Sequence, residues 1–419
     1  MKEVPSARRL ERLLYVLLIW ACLIVGRLVS LQVLQHDELQ RQADTQHYKT
    51  IPIPSLRGAI LDRNGQALAK TLPADSVSIN PRKIKDAVVA ANILAPLLGL
   101  DRDRFVDRLL AAKANNAGFL WVKKKVPAEQ VAQLRQLNLD WVEFQPTMLR
   151  YYPQSTLASH VVGSLGVVEG SLDDSERGNA GLEMAFDEEL AGRPGIARNL
   201  TDVHQNSYDS EVLQKPEAGV DLTLTLDAKL QYVAERELDK AVESSHASTG
   251  SIVALNPYTG DILAMANYPR FDPNLPPSPD DPPMARSNLA ITTPFEPGSV
   301  FKVITLAAAL ETTSLTPDSV VPCGNGTLNL FGRIIHDHDR YAALSMADVL
   351  AHSSNIGAIQ IGLKVGDKRL YDYVSKFGFG QKTDIEMPGE SGGLLRQVKQ
   401  WTPSSIGSVA MGHEVSATS

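Results

Sequence analysis

The longest apolar run in the chain comes first. Residues 13–26 read LLYVLLIWACLIVG, Arg27 interrupts, and LVSLQVL carries the run on to Leu34. The uninterrupted part is shorter than the ~20 residues a spanning helix needs. Taken through Leu34 it is long enough, with Arg27 able to stretch its head toward the interface. Arg8, Arg9 and Arg12 precede the run, and no A-x-A-like cleavage site follows it. That pattern predicts an uncleaved transmembrane anchor over 13–34. The basic flank makes residues 1–12 a cytoplasmic tail and puts the rest of the chain outside the cytoplasm.

Downstream the periodicity changes several times. Residues 36–50 are polar and charged, a juxtamembrane helix or linker. GAILD and QALA flank Arg63-Asn64-Gly65, a hairpin signal because Asn-Gly suits the tight primed turns. Residues 83–141 read as helical from IKDAVVAANILAPLLGL and PAEQVAQLRQL. Residues 142–225 are mixed, with strand-like SHVVGSLGVV, and DLTLTLD at 221–227 alternates like a strand. A domain boundary is expected there. AKLQYVAERELDKAVESS is an amphipathic helix, and GSIVALNPYTGDILAMANYP is a strand, a turn and a second strand. The proline-rich run 269–283 reads as a surface connector. An apolar helix opens near Pro297-Gly298, LSMADVLAHSS begins with Ser345 and Asp348 in capping-box spacing, and two further helices end at Gly378.

The expected fold is therefore α+β and multi-domain. An anchor at 13–34 is followed by a mixed α/β domain at 35–225. A second domain at 226–419 places helices over an antiparallel sheet. With 419 residues, 43% of them hydrophobic, the chain is too long for one core. Net charge is −7 without a basic block, which argues against nucleic-acid binding. The two cysteines, Cys22 and Cys323, exclude a disulfide framework. Cys323, between Pro322 and Gly324, reads as a small core residue. HDHD at 336–339 reads as a solvent-facing polar turn, with no further ligands nearby to make a metal site.

One charge is out of place. In PFEPGSVFKVITLAAALE, Ser299 and Lys302 stand three residues apart, and the helix around them is apolar nearly all round. Alone, Ser299 would be an N-cap serine. A lysine in a buried helix must pair or lose its charge, and desolvation lowers its pKa. A neutral amine on the same helix face can take the serine proton and make it a nucleophile. Free N–H groups at the helix start favour negative charge developing there. Ser353-Ser354-Asn355 lies between two helices. In an extended segment Ser353 and Asn355 would face one cleft, with Ser354 turned away.

Ser-x-x-Lys followed by Ser-x-Asn resembles the penicillin-interacting serine transpeptidases. The likeness extends further. Arg57-Gly58 with Asp62-Arg63-Asn64-Gly65, the stretch GNAGLEMAFDEELAGRPG at 178–195 and LNPYTGDILAMANYPRFDPN all resemble class B penicillin-binding proteins. Asn355 and FEPGSVFK resemble the division-type, FtsI-like members. The resemblance implies a pedestal, or dimerisation-like, domain carrying a transpeptidase domain. It implies that Ser299 attacks the penultimate D-alanine of a stem pentapeptide and that Lys302 is its base. Ser353 would relay a proton to the leaving amine, and Asn355 would bind substrate and position Lys302. Peptidoglycan stems ending in D-Ala-D-Ala, β-lactams, the membrane, a glycosyltransferase and divisome membrane proteins are the implied partners. No cofactor or metal is implied. The implied location is the bacterial cytoplasmic membrane, single-pass, with the N-terminus inside.

One element of the family pattern departs. No K-T-G triplet occurs, since QKTD at 381–384 has aspartate in place of glycine. The resemblance makes the 419 residues a transpeptidase truncated before its third motif, hence inactive alone. Two other classes of function fit the same serine and lysine: a β-lactam-hydrolysing or β-lactam-sensing protein, and a non-catalytic division scaffold. The large domain before the catalytic half argues against the first, and the intact Ser299, Lys302, Ser353 and Asn355 against the second.

Overall fold

The computed structural model describes residues 5–35, 48–167, 176–201 and 207–419. The chain divides into two compact units, Met1–Leu56 with Gly192–Gly219, and Arg57–Ala191 with Val220–Ser419. In the first unit Pro5–Val29 is an α-helix that continues in wider π-type turns over Ser30–Leu34. Among the described residues one segment is long and apolar enough to span a membrane, Arg12–Val33, with mean hydropathy 2.3 and no part of it buried. Of the expected 36–50 linker, residues 36–47 lie outside the described residues. Tyr48–Ile53 is a strand, paired antiparallel with Gly195–Thr201, which in turn pairs with Ser207–Gln214.

In the second unit the long strand Ala67–Ile79 is the centre of a five-stranded sheet. Ile60–Leu61 joins it through the Asn64-Gly65 turn. Gly65 has φ +81°, which only glycine adopts freely. Val142–Tyr151 pairs with all ten residues from Lys70 to Ile79. The helical reading of 83–141 holds for Ala87–Leu98, Arg102–Ala114 and Ala128–Gln136. It fails at Leu120–Pro127, a strand on the other edge of Ala67–Ile79. That strand is bulged, with Lys125 at φ +53° where the register shifts. The helices bury Ala91, Leu94, Leu98, Phe105, Leu109 and Leu134 against the sheet, about 1.5–3 kcal/mol for each large side chain. The strand-like SHVVGSLGVV is also divided: Ser159–Val162 is a short helix and Ser164–Val167 the strand.

The helix Ala228–Ser245 begins where Asp227 accepts the Lys229 and Leu230 N–H groups. Its Ala234, Leu238 and Val242 pack on Ala264 and Ala266 of the hairpin Gly250–Leu255 and Ile262–Tyr268. A helical core follows, in which Lys302–Thr312, Asn355–Val365, Asp367–Lys376 and Ser405–Ala410 contribute Leu306, Ala308, Ile361, Leu370 and Val409. The expectation that the first of these helices is buried all round is corrected. Val300 and Val303 are 74% and 53% exposed, while Phe301, Lys302, Thr305 and Ala308 are buried. Its apolar residues face two ways, and the lysine lies on the inner face.

Candidate active site

The Ser299 segment starts with a tight turn, Gly298–Phe301, before the α-helix Lys302–Thr312. Side chains three apart eclipse in such a turn, so Ser299 and Lys302 project along one edge. Ser299 is exposed. It is not the N-cap: Pro297 precedes the turn and Phe301 the helix, neither with a side-chain cap bond. The segment before it is strapped to the chain's last described residues. Phe295 and Ala417 exchange backbone bonds of 2.9 and 3.1 Å, and the Gly298 N–H donates to the Gly412 carbonyl at 3.0 Å. A Cβ on Gly412 would fall 2.1 Å from the Gly298 oxygen, so that approach requires glycine. Glu296 accepts from the Glu414 N–H at 2.9 Å and pairs with His413 Nδ1 at 2.8 Å.

Lys302 is fully buried. Its Nζ donates to the Ser353 carbonyl at 2.6 Å, to Ser353 Oγ at 3.0 Å and to Asn355 Oδ1 at 2.8 Å. An ammonium has three N–H donors, and all three are used here. None points at Ser299, whose hydroxyl has no hydrogen bond among the described residues. The direct serine–lysine contact expected from spacing is therefore replaced by a lysine held on the Ser-x-Asn turn. Burial pushes its pKa down to about 8, against the opposing charge of Asp337.

The Ser-x-Asn residues converge for a reason other than strand alternation. Ser353 sits in the left-handed region at φ +52°, a costly conformation for a residue with a Cβ. It turns the Ser353 carbonyl and hydroxyl together onto the lysine. Ser354 is the N-cap of Asn355–Val365 and accepts the Gly357 N–H at 2.9 Å. Asn355 starts that helix, and its amide nitrogen donates to the His336 carbonyl at 3.2 Å. That bond turns its oxygen toward Lys302.

Over 416 residues the chain is 33% identical to a protein named probable peptidoglycan D,D-transpeptidase PbpC from Pseudomonas aeruginosa, covering 98% of this chain and 72% of that one. The chain belongs to the penicillin-binding protein transpeptidases. Residues 250–419 of this penicillin-binding protein match the model of the penicillin binding protein transpeptidase domain, and residues 52–224 that of the penicillin-binding protein dimerisation domain. Peptidoglycan D,D-transpeptidase FtsI of Escherichia coli is 30% identical over 402 residues, 94% of this chain and 66% of that protein. Penicillin binding protein 3 of Mycobacterium tuberculosis, solved with aztreonam, is 28% identical with a TM-score of 0.61, over 88% of this chain and 62% of that chain. The penicillin-binding protein is thus of the serine acyltransferase class, with a peptidoglycan-binding, β-lactam-binding transpeptidase domain.

The four sequence candidates stand in two groups. Lys302, Ser353 and Asn355 are bonded together, and Ser299 stands beside them unbonded. The residue that sequence reasoning missed is Asp337. HDHD is not wholly a solvent-facing turn: the half-buried Asp337 carboxylate accepts from Ser354 Oγ at 2.6 Å and from the Ile356 N–H at 2.9 Å. No metal-binding group of three His, Cys, Asp or Glu occurs among the described residues. Cys323 is fully buried beneath this turn, with Ser354 Oγ 3.7 Å from its sulfur. QKTD lies in an exposed loop, where Thr383 bonds Glu390.

Asp337→Asn has a prediction with a definite sign. The carboxylate favours the charged lysine, so its removal lowers the Lys302 pKa below about 8. The pH midpoint of penicillin acylation should move to lower pH. The plateau rate should drop about tenfold as a charge-assisted bond is weakened. Stopped-flow acylation across pH checks it, and an unmoved midpoint would count against the assignment.

Proposed function

We propose that this penicillin-binding protein cross-links peptidoglycan through an acyl-enzyme on Ser299. The observation that carries the reading is Lys302, a fully buried lysine with its pKa lowered to about 8, bonded to Ser353 and Asn355 one turn from an exposed, unbonded serine. Lys302 in its neutral form accepts the Ser299 proton as Oγ attacks the penultimate D-alanine carbonyl. The peptide C–N bond breaks, Ser353 passes a proton to the leaving amine, and D-alanine departs. An amine of a second stem then attacks the ester, forms the cross-link and returns the proton to Ser299. Asn355 positions Lys302 and hydrogen-bonds the substrate.

A role in septal synthesis is favoured by the FEPGSVFK and Ser-x-Asn resemblance and by the relative named FtsI. Membrane-bound glycosyltransferase and divisome partners belong to the same reading, as does an N-terminus inside with the catalytic half outside. The arginines before the anchor support that orientation.

Mass spectrometry after exposure to benzylpenicillin tests the reading. The expected result is one stable ester on the Ser299 peptide. Label on another residue overturns the nucleophile. Rapid loss of the label with release of hydrolysed drug favours a β-lactam hydrolase, and no label at all favours a scaffold.

A second, smaller prediction concerns the strap before Ser299. The His413 hydrogen bond and the Glu414 N–H hold the Glu296 carboxyl below its ordinary range. The folded state thus favours ionised Glu296. Its contribution is present above the ordinary glutamate pKa and is lost as pH falls through the lower folded value. Glu296→Gln should slow acylation two- to fivefold at neutral pH and leave the acid-range rate closer to wild type. A rate ratio constant across pH 3 to 7 would argue that the pair does not hold the nucleophile turn.

A further inference from the structure

We infer that this protein carries a second ligand site, for a small carboxylate with an apolar arm, in a cavity distinct from the Ser299 site. The cavity is about 450 Å³. Among the residues lining it are Ser159, His160, Phe271, Met284, Arg286 and Asn288.

Its polar wall is short of acceptors. Ser159 is 1% exposed, and its hydroxyl has no hydrogen-bond partner among the described residues. The Arg286 guanidinium lies over the Phe271 ring, 4.6 Å from its centroid, and its Nε is buried without a partner. Arg286 Nη2 reaches the Leu275 carbonyl at 3.2 Å and Asp281 at 3.4 Å, which leaves the cation only loosely paired. Asn288 is 9% exposed, and its amide nitrogen meets only the sulfurs of Met265 and Met387, at 3.4 and 3.8 Å. Thioethers are weak acceptors. A buried donor without a partner is a cost that native structures rarely carry. Here two unpartnered donors, Ser159 Oγ and Arg286 Nε, and a third held only by thioethers, Asn288 Nδ2, belong to residues lining one cavity.

Charge sets the ligand's sign. Among the described residues no Asp or Glu lines the cavity. His160 lines it, with Nε2 against the Ala285 carbonyl at 2.9 Å, and burial pushes its pKa down. It is neutral at physiological pH and adds no charge. Arg286 is the lining cation, and a guanidinium with neighbouring amide and hydroxyl donors suits a carboxylate. Phe271, Ile291 and Met284 supply apolar surface for the rest of the ligand. A free amino acid or a peptide C-terminus would meet this chemistry, and the size favours the peptide.

The test is calorimetric titration of the whole protein in detergent with N-acetyl-D-alanyl-D-alanine, D-alanine and acetate, before and after benzylpenicillin treatment. The expected result is saturable one-to-one binding of the dipeptide to the treated protein, with the two smaller carboxylates weaker. Arg286→Gln and Met284→Trp should each weaken it at least tenfold while leaving penicillin acylation unchanged. Met284 is 42% exposed, so tryptophan can fill the cavity mouth without disturbing the core. If Arg286→Gln fails to fold, that variant decides. Absence of binding to the treated protein, or equal binding in the variants that fold, overturns the site. Tight binding of D-alanine alone reassigns the source to free amino acid and supports the site. Failure of the catalytic reading shows separately, as missing acylation.

Discussion

Lys302→Met is expected to slow acylation of Ser299 by benzylpenicillin by about 10²–10⁴-fold, the range removed with a general base. Methionine keeps the length and apolar body of the side chain, so packing around Phe301 and Thr305 changes little. What goes is the amine proposed to take the serine proton. The pH profile of the unaltered protein is the companion measurement. With a pKa of about 8, the neutral amine is the minor form at pH 7. The rate should climb about tenfold per pH unit below that value and level off above it. Methionine should abolish this limb as well as the rate. The folded pKa lies below the ordinary value of 10.5, so burial penalises the ammonium fully below pH 8. That penalty is relieved as pH rises from about 8 to 10.5. Lys302→Met removes the penalty but leaves Asn355 Oδ1 without its donor. Those effects oppose, so the loss should appear in the rate and far less in the melting temperature. A variant within tenfold of wild type, with the same pH limb, would mean that the serine proton goes elsewhere.

The lysine was legible because one charge in an apolar helix is a local anomaly. The helix Ala228–Ser245 was legible for a similar reason: its period is regular and Asp227 caps it. The hairpin 250–268 and the Asn64-Gly65 turn also carry their structure in nearby residues. Other features depend on partners distant in sequence. Leu120–Pro127 reads LWVKKKVP, with three lysines and no alternation, and becomes a strand because Ala67–Ile79 offers an edge. Lys123 then donates to the Leu98 carbonyl at 2.6 Å, which no local pattern indicates. The left-handed Ser353 is unforeseeable from its residue type, since the Lys302 bonds that its conformation serves reach it from a helix distant in sequence. Asp337 is a similar case. It was noticed as part of a histidine-aspartate run, and its use appears only when Ser354 and Ile356 are brought beside it. The residues that converge on Lys302 were therefore readable as candidates by type, and their bonding was not.

Glu183→Ala should destabilise the second unit by about 3–5 kcal/mol, the cost of breaking a buried ion pair by removing one partner. Glu183 is fully buried between two arginines. Arg57 Nε reaches one carboxylate oxygen at 2.7 Å, and Arg150 Nε reaches the other at 2.6 Å. Arg57 Nη2 also donates to the Glu183 carbonyl at 2.9 Å, and Tyr152 donates its hydroxyl at 3.4 Å. The backbone follows closely enough that a Cβ on Gly178 would fall 1.8 Å from the Glu183 carbonyl oxygen. Without the carboxylate, Asp187 still holds Arg57 at 2.7 Å, but Arg150 keeps only the Gly58 carbonyl and Thr71. Two guanidiniums, 9% and 4% exposed, would then share a dry site with too little negative charge. The prediction concerns the broken cluster alone, because an apolar replacement of all three groups could be as stable. Glu183→Gln should cost less than alanine, since the amide oxygen still accepts one arginine. Alanine at Glu237, whose partners Arg236 and Lys240 are in solvent, is the control and should leave the urea midpoint unmoved. Equal midpoints for the Glu183 and Glu237 variants would show that the cluster contributes nothing beyond a surface pair.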